Sequence, residues 1–102
     1  MIQITISPTG MTLGGHARAA PYGYDIVCAA VSALVQTFEA GAEEFTPDTV
    51  EAAREAATGQ IRAFKWPRAP SKELKTLIDT TVLGLIRIAS EYPENLTVEI
   101  IE

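Results

Sequence analysis

The sequence of 102 residues contains one cysteine, one histidine and one tryptophan. One cysteine cannot form a disulfide within the chain, so a reducing compartment such as the cytoplasm is the expected setting. One cysteine and one histidine also fall short of the three or four ligands that a zinc site needs, and we expect no metal. A lone cysteine with a histidine elsewhere in the chain is instead a candidate pair for nucleophilic catalysis.

Basic residues and long apolar runs are also scarce. Eight basic residues against thirteen acidic ones give a net charge of −5, which argues against a general affinity for nucleic acid or an anionic membrane. The stretch MIQITIS lacks the features of a signal peptide, and we expect no run of ~18 apolar residues that could span a bilayer. The phosphate-binding patterns G-x-x-x-x-G-K-[ST] and G-x-G-x-x-G are absent. We therefore expect a single soluble domain over residues 1–102, without a cofactor.

The N-terminal residues predict a β-hairpin. Apolar and polar residues alternate over residues 2–7, which is the period of a half-buried strand. A turn at residues 8–10 leads into a second strand at residues 11–13.

A loop is predicted between this hairpin and the first helix. Residues 18–24 include a proline, a glycine and two tyrosines but have no hydrophobic period. Glycines just before His16 add backbone freedom. Such a loop can move over a site, and the residues that we expect to gate substrate access are Gly14, Gly15, Tyr22, Gly23 and Tyr24.

The first helix is predicted over residues 25–40, with Asp25 as its N-cap and Gly41 as its C-cap. Its apolar residues recur at helical spacing, which indicates a face packed in the core. Cys28 then lies at about the third helical position, where unpaired N–H groups and the macrodipole lower the pKa of a thiol. Ser32, four residues later, shares a face with Cys28.

The segment 43–66 is compatible with a helix or with a β-hairpin. Helix propensity favours a capped helix over VEAAREAA, whereas a threonine-glycine turn precedes the strand-like stretch QIRAFKW. Because the turn decides between them, we predict a hairpin with strands at residues 49–56 and 60–66.

A second helix is predicted from the N-cap Ser71 to Tyr92, because Pro93 disfavours helical geometry at the residue before it. Its apolar stripe consists of Leu74, Leu77, Ile78, Val82, Leu85, Ile86 and Ala89. Alternation at residues 96–100 gives a final strand. The expected fold is α+β, a small mixed, mainly antiparallel sheet packed with two helices in the order β-β-α-β-β-α-β.

Each candidate site residue also has an ordinary structural explanation. A lone cysteine is often a buried small side chain, and Ser32 within a helix is most simply a packing residue. Arg62, Lys65 and Arg68 flank Trp66, but three basic residues on an acidic protein are a weak basis for RNA binding. The residues alone leave open a cysteine peptidase, another thiol enzyme such as an acyl transferase, and a non-catalytic peptide-binding module.

The letters GHA around His16, followed by DIVCAAVSAL from Asp25 onwards, closely resemble the ribosomal-processing cysteine protease family of bacteria. The combined motif is more specific than a Cys/His pair alone. The resemblance implies a homodimeric endopeptidase that removes a short N-terminal extension from a large-subunit ribosomal protein, or processes a similarly tagged protein, such as one of a phage. It also implies a catalytic dyad of His16 and Cys28, with Asp25 and Ser32 in supporting positions.

These residues suggest a division of chemical roles. The Cys28 thiolate would attack the scissile carbonyl, and His16 would hold the proton and deliver it to the leaving amine. Backbone N–H groups at the helix start, with the Ser32 hydroxyl, would stabilise the oxyanion, and Asp25 would orient His16. The alternative, a non-catalytic peptide-binding or ribosome-assembly module, has no need of His16. That residue therefore discriminates between a protease and a binding module.

Overall fold

The computed structural model describes residues 1–15 and 22–102, with side chains from Ile26 onwards in the second range. The described residues form five strands and two helices in the predicted order. They are β1 (Ile2–Ser7), β2 (Gly10–Gly14), α1 (Tyr22–Phe45), β3 (Glu51–Arg54), β4 (Ile61–Lys65), α2 (Lys72–Glu91) and β5 (Leu96–Ile100). The α+β class and the element order are confirmed.

The five strands form one mixed sheet in the order β3-β4-β2-β1-β5. The pairs β1–β2, β2–β4 and β3–β4 are antiparallel, whereas β1 pairs in parallel with β5. The half-buried strand predicted from the alternation over residues 2–7 is confirmed, because Ile2, Ile4 and Ile6 are all buried on one face of β1. On the same strand Gln3 is exposed.

Both helices contribute to the core that covers the buried face of the sheet. Phe38 of α1 packs edge-on against Phe64 of β4 and against Trp66, with ring centroids 5.1 and 5.8 Å apart. The indole N–H of Trp66 donates to the carbonyl oxygen of Pro8 at 3.0 Å, so its polar atom is paired although the ring is buried. These contacts position α1 against the strands.

α2 begins and ends where local chemistry predicts. The Ser71 hydroxyl accepts a hydrogen bond from the backbone N–H of Leu74 at 3.1 Å, as an N-cap does. Both the backbone N–H and the hydroxyl of Ser71 donate to the carboxylate of Asp48. These bonds hold the pKa of Asp48 below its usual value, because they favour the charged form. The helix ends at Glu91, with Tyr92 as C-cap before Pro93.

The predicted apolar stripe of α2 is confirmed except at Ile86. Leu74, Ile78 and Leu85 are buried, but Ile86 is 42% exposed. The buried polar residue on this face is Thr81, whose hydroxyl donates to the carbonyl of Leu77 at 2.8 Å. A threonine can be buried in this way because its hydroxyl pairs within its own helix.

α1 is longer at both ends than the predicted range 25–40. It begins at Tyr22, so Asp25 lies inside the helix and is not its N-cap, and it passes through Gly41 to Phe45. The buried face continues beyond the glycine, since Ala42 is 2% exposed. Tertiary packing of that face outweighs the weak helix propensity of one glycine, which is why the predicted C-cap was wrong.

Within the segment 43–66, residues 43–45 complete α1, and residues 51–65 form the predicted hairpin and not a helix, with strands shorter than expected. Its turn requires the glycine, because Gly59 has a φ of +74°. The side chain of Arg54 on β3 forms an ion pair with Glu39 of α1 at 2.5 Å. Pairing with β4 and this contact with α1 place an alanine-rich stretch of low strand propensity in the sheet.

One expectation about apolar runs was wrong. Residues Ile26–Phe45 of α1 form a 20-residue stretch with a mean hydropathy of 1.3, which is long and apolar enough to cross a membrane by length and composition alone. In this fold one face of the stretch belongs to the core, through Val27, Val31, Val35 and Phe38. Core helices of globular proteins commonly pass the same test, so the stretch is weak support for a membrane span.

Candidate functional site

A cleft of about 80 Å³ lies between α1, the end of β2 and the β3–β4 hairpin. Part of its lining is apolar, with the buried side chains of Ile2, Leu13, Val31 and Val35. The polar groups that line it are Cys28, Ser32, Gln36, Gln60 and Arg62, together with the backbone of Gly14 and Gly15. An apolar cleft with a few polar groups is the usual form of a ligand or substrate site.

Three of these polar side chains come from one edge of α1. Cys28, Ser32 and Gln36 follow each other at intervals of four residues and all line the cleft, as the helical period requires. Cys28 is half-buried and packs against the core without being part of its buried set. The prediction that Cys28 and Ser32 share a face is therefore confirmed.

The position of Cys28 along the helix differs from the expected one. Because α1 begins at Tyr22, Cys28 is the seventh residue of the helix and not about the third. The unpaired N–H groups of a helix occupy its first turn, and the effect of the macrodipole also fades within that turn. The helix start therefore does not provide the oxyanion donors that we expected from it at Cys28.

The glycines at the end of β2 form one wall of the cleft. Gly15 has a φ of +101°, a conformation that favours glycine strongly. A Cβ at Gly15 would overlap the carbonyl oxygen of Met1 and lie 3.0 Å from the Cα of Ile2. Two independent constraints, the positive φ and the close approach of Met1, therefore require glycine at position 15.

Several predicted site residues lie where side-chain positions are not described. His16 falls outside the described residues, as does the rest of segment 16–21. The backbone of residues 22–25 is helical, so Tyr22, Gly23 and Tyr24 belong to the first turn of α1 and not to the predicted loop. The assignment of these residues to a gating loop is wrong in that respect, because the helix starts earlier than its supposed cap.

Arg62 is a cleft residue that the sequence analysis considered only as part of a basic cluster. Its guanidinium donates to the carbonyl oxygen of Gly15 at 3.4 Å, to the side-chain oxygen of Gln60 at 3.0 Å and to the carboxylate of Glu55 at 3.3 Å. Strand alternation does not identify it, because Arg62 lies opposite the register shift between Ala53 and Arg54, where the regular pairing of β4 is interrupted.

A larger groove, of about 410 Å³, lies elsewhere on the described surface. It is lined in part by Trp66, Ile78 and Ile100, and its charged side chains are Arg68, Lys75, Asp79 and Glu102. The described lining includes neither a cysteine nor a histidine. The smaller cleft is therefore the candidate site on chemical grounds, despite its size.

No cluster of three or more His, Cys, Asp and Glu side chains that could hold a metal ion occurs among the side chains that the structure describes. The cleft contributes one potential metal ligand of this kind, Cys28. What the described lining offers chemically is a thiol beside a hydroxyl, next to a cation paired with a carboxylate.

Known proteins resemble this chain over nearly its whole length. The ribosomal processing cysteine protease Prp of Mycoplasma pneumoniae is 32% identical over 99 residues, which cover 97% of this chain and 94% of that protein. The crystal structure of SMU.848 from Streptococcus mutans superposes with a TM-score of 0.86 at 28% identity, covering 99% of this chain and 94% of the other.

A Staphylococcus aureus ribosomal processing protease Prp, solved with a substrate peptide, has the same fold, with a TM-score of 0.88 at 23% identity over 99% of this chain and 100% of the other. The family description "Cysteine protease Prp" matches residues 1–97. With a candidate nucleophile in a cleft of this fold, these matches show that the chain belongs to the Prp family of cysteine proteases.

Proposed function

We propose that this cysteine protease removes the N-terminal extension of a large-subunit ribosomal protein, or of a similarly tagged protein such as one of a phage. The observation that carries the proposal is the location of Cys28, the only cysteine of the chain, in a cleft shared with Ser32. Relatives support the substrate class, because two Mycoplasma proteins are named ribosomal processing proteases and the S. aureus protease binds a substrate peptide.

In the proposed reaction Cys28 and His16 act as a catalytic dyad. The thiolate of Cys28 forms a bond to the scissile carbonyl carbon, and the amide C–N bond breaks as His16 gives its proton to the leaving nitrogen. Water, deprotonated by His16, then hydrolyses the thioester and releases the second product. The S. aureus protease has been solved with a covalently linked product peptide, which is consistent with attack by a thiol in a protein of this fold.

Supporting roles are proposed for Asp25 and Ser32. Ser32 lies one helical turn beyond Cys28 on the cleft side of α1, so its hydroxyl is a candidate donor to the oxyanion. Asp25 is proposed to orient His16, since the helix begins before it and leaves it no capping role. The glycine-led segment after β2 is proposed to admit and enclose the substrate.

We further propose that residues 1–102 act as a single domain, as a cytoplasmic homodimer without a cofactor, bound neither to a membrane nor directly to nucleic acid. A dimer is supported by exposed apolar side chains on α2 and at the C-terminal end of β5, which lies at the edge of the sheet. They are Leu83, Ile86, Ile100 and Ile101, between 42% and 56% exposed. Sedimentation equilibrium tests this part of the proposal, and a monomer at micromolar concentration would contradict it.

The test of the protease is cleavage of a ribosomal-protein N-terminal peptide, followed by mass spectrometry. Wild type should release the extension, Cys28→Ala should release none, and His16→Ala should lose nearly all activity, because thiol attack needs both groups. Ser90→Ala, an exposed serine on α2, is the control and should cleave normally.

Three outcomes would contradict the proposal. Cleavage by Cys28→Ala would exclude Cys28 as the nucleophile. Tight binding of the peptide by wild type without release of a fragment would favour a peptide-binding or assembly module. Modification of Cys28 without peptide release would favour an acyl transferase.

A further inference from the structure

We propose that Arg62 is a positioning residue for peptide cleavage, because it joins the glycine wall of the cleft to the β3–β4 hairpin. The inference depends on the proposed function, since it assigns Arg62 a part in the same reaction. Arg62 lies on β4, and its side chain is about one-third exposed, with a relative accessibility of 30%. It lines the cleft together with Cys28.

The guanidinium contacts two separate parts of the chain. One terminal nitrogen, Nη1, donates to the carbonyl oxygen of Gly15, which is 47 residues away in sequence. The other, Nη2, donates to Gln60 and to Glu55 at the turn of the hairpin. A planar group with several fixed donors can make such divergent contacts at once, whereas a lysine ammonium has one nitrogen only.

Gly15 is the residue through which this contact can influence cleavage. Its positive φ and the close approach of Met1 already restrict its backbone, and the bond from Arg62 restrains its carbonyl on the cleft side. His16 follows Gly15 directly in the chain, so a restraint on the Gly15 carbonyl acts on the peptide bond that leads to the proposed base. Misplacing a reacting group by about 1 Å can reduce a rate roughly 100-fold.

A direct role in binding substrate is less consistent with the contacts of Arg62. Its charge is already compensated by Glu55 at 3.3 Å, and both of its terminal nitrogens donate to oxygens of the protein. An arginine that bound a substrate carboxylate would mainly change KM, whereas a positioning residue changes kcat. The kinetic constants therefore separate the two roles.

Arg54 provides a matched control on the same hairpin. It also forms an ion pair with a glutamate, Glu39, at 2.5 Å, but it does not belong to the described lining of the cleft. Arg62→Ala and Arg54→Ala thus remove the same chemical group from neighbouring strands. A general loosening of the hairpin should appear in both variants, and an effect specific to the cleft only in the first.

The experiment measures kcat and KM for the peptide with wild type, Arg62→Ala, Arg62→Lys and Arg54→Ala. We expect Arg62→Ala to lower kcat by about 10- to 100-fold with KM changed less than about threefold. Arg62→Lys should recover only part of the loss, and Arg54→Ala should keep kcat within about twofold of wild type. Equal losses in both alanine variants, an effect on KM alone, or an unchanged kcat in Arg62→Ala would each overturn the inference.

Hydrogen exchange gives a second readout that does not depend on activity. Arg62→Ala should accelerate exchange of backbone amides in residues 13–16, while Arg54→Ala should not. If wild type cleaves no peptide, the proposed function fails, and unchanged exchange in Arg62→Ala would then still overturn the role of Arg62. If Arg62→Ala does not fold, Arg62→Lys supplies the same comparison.

Discussion

The two helices lie side by side but differ in what determines their ends and in what they contribute. They pack antiparallel, since a Cβ at Gly41 of α1 would contact Leu77 and one at Gly84 of α2 would contact Leu34. α2 begins at Ser71 and ends before Pro93, as local residues predict. α1 starts three residues before its expected cap and continues through a glycine. Local chemistry therefore determines the limits of α2, while packing determines the C-terminal limit of α1.

The same contrast extends to function. One edge of α1 supplies Cys28, Ser32 and Gln36 to the cleft, whereas the lining that the structure describes includes no residue of α2. Substitutions of buried residues in α2 should therefore affect mainly stability, and substitutions at the cleft edge of α1 should affect mainly cleavage. Substitutions in the two helices can separate these effects.

The largest expected effect is a loss of stability from α2. Leu85 is fully buried, and Leu85→Ala should lower the free energy of unfolding by about 2–5 kcal/mol. Cys28→Ala should cost about 1 kcal/mol or less, because it removes one half-buried atom, while abolishing cleavage. Urea denaturation with a peptide assay checks both. An equal loss of stability in the two variants would remove the distinction between the helices.

Substitutions at the helix starts should differ by about 1 kcal/mol. Ser71→Ala removes the hydroxyl that caps α2 and should cost about 1 kcal/mol. Asp25→Ala should cost less in stability, because Asp25 lies inside α1 and alanine has the better helix propensity. Thermal unfolding monitored by circular dichroism measures the difference. If Asp25→Ala is the more destabilising variant, the early start of α1 is contradicted.

Glycine-to-alanine substitutions provide a smaller test of the interface between the helices. Gly41→Ala should stabilise the protein by about 0.5–1 kcal/mol, since the new Cβ would lie 3.4 Å from the nearest atom of Leu77. Gly84→Ala should gain less or lose stability, because the new Cβ would come within 2.8 Å of Leu34. Chemical denaturation of both variants decides the order, and a greater gain at Gly84 would argue against the packing.

The smallest expected effect is a pH dependence at the start of α2. Hydrogen bonds from Ser71 hold the pKa of Asp48 below its ordinary value of 3.8. The folded state therefore binds fewer protons at this site than the unfolded state, and the stabilisation is present above pH 3.8. It is lost as the pH falls through the lower folded pKa. Asp48→Asn should lose this part of the acid dependence, and an unchanged acid unfolding curve would contradict the assignment.

The fold was largely predictable from the sequence because its strands and α2 carry local signals. Alternating isoleucines specified β1, and the serine cap and following proline specified α2. The continuation of α1 past Gly41 was missed because it depends on packing against other parts of the chain. From the sequence, Gly41 predicts the end of the helix. The burial of Ala42 in the structure shows that the core-facing side of α1 continues past this glycine.

The candidate site was also predictable only in part from the sequence. Cys28 and Ser32 could be placed on one face from helical spacing alone. Arg62 could not be connected to Gly15, because the two residues meet only when the β3–β4 hairpin pairs beside β2. Sequence patterns report periodicity within an element, whereas the walls of a cleft come from several elements.

The parallel pairing of β1 with β5 has a consequence for the timing of assembly. Ile2 pairs with Leu96, and its backbone N–H donates to Asn95 at 2.9 Å, so closing this pair orders nearly the entire chain. Contacts of such high sequence separation form late, because the loop-closure entropy must be overcome first. Since Ile2 also lines the cleft, the thiol of Cys28, the proposed nucleophile, is synthesised long before its surroundings are complete. A nascent chain that ends before β5 should therefore be an inactive protease.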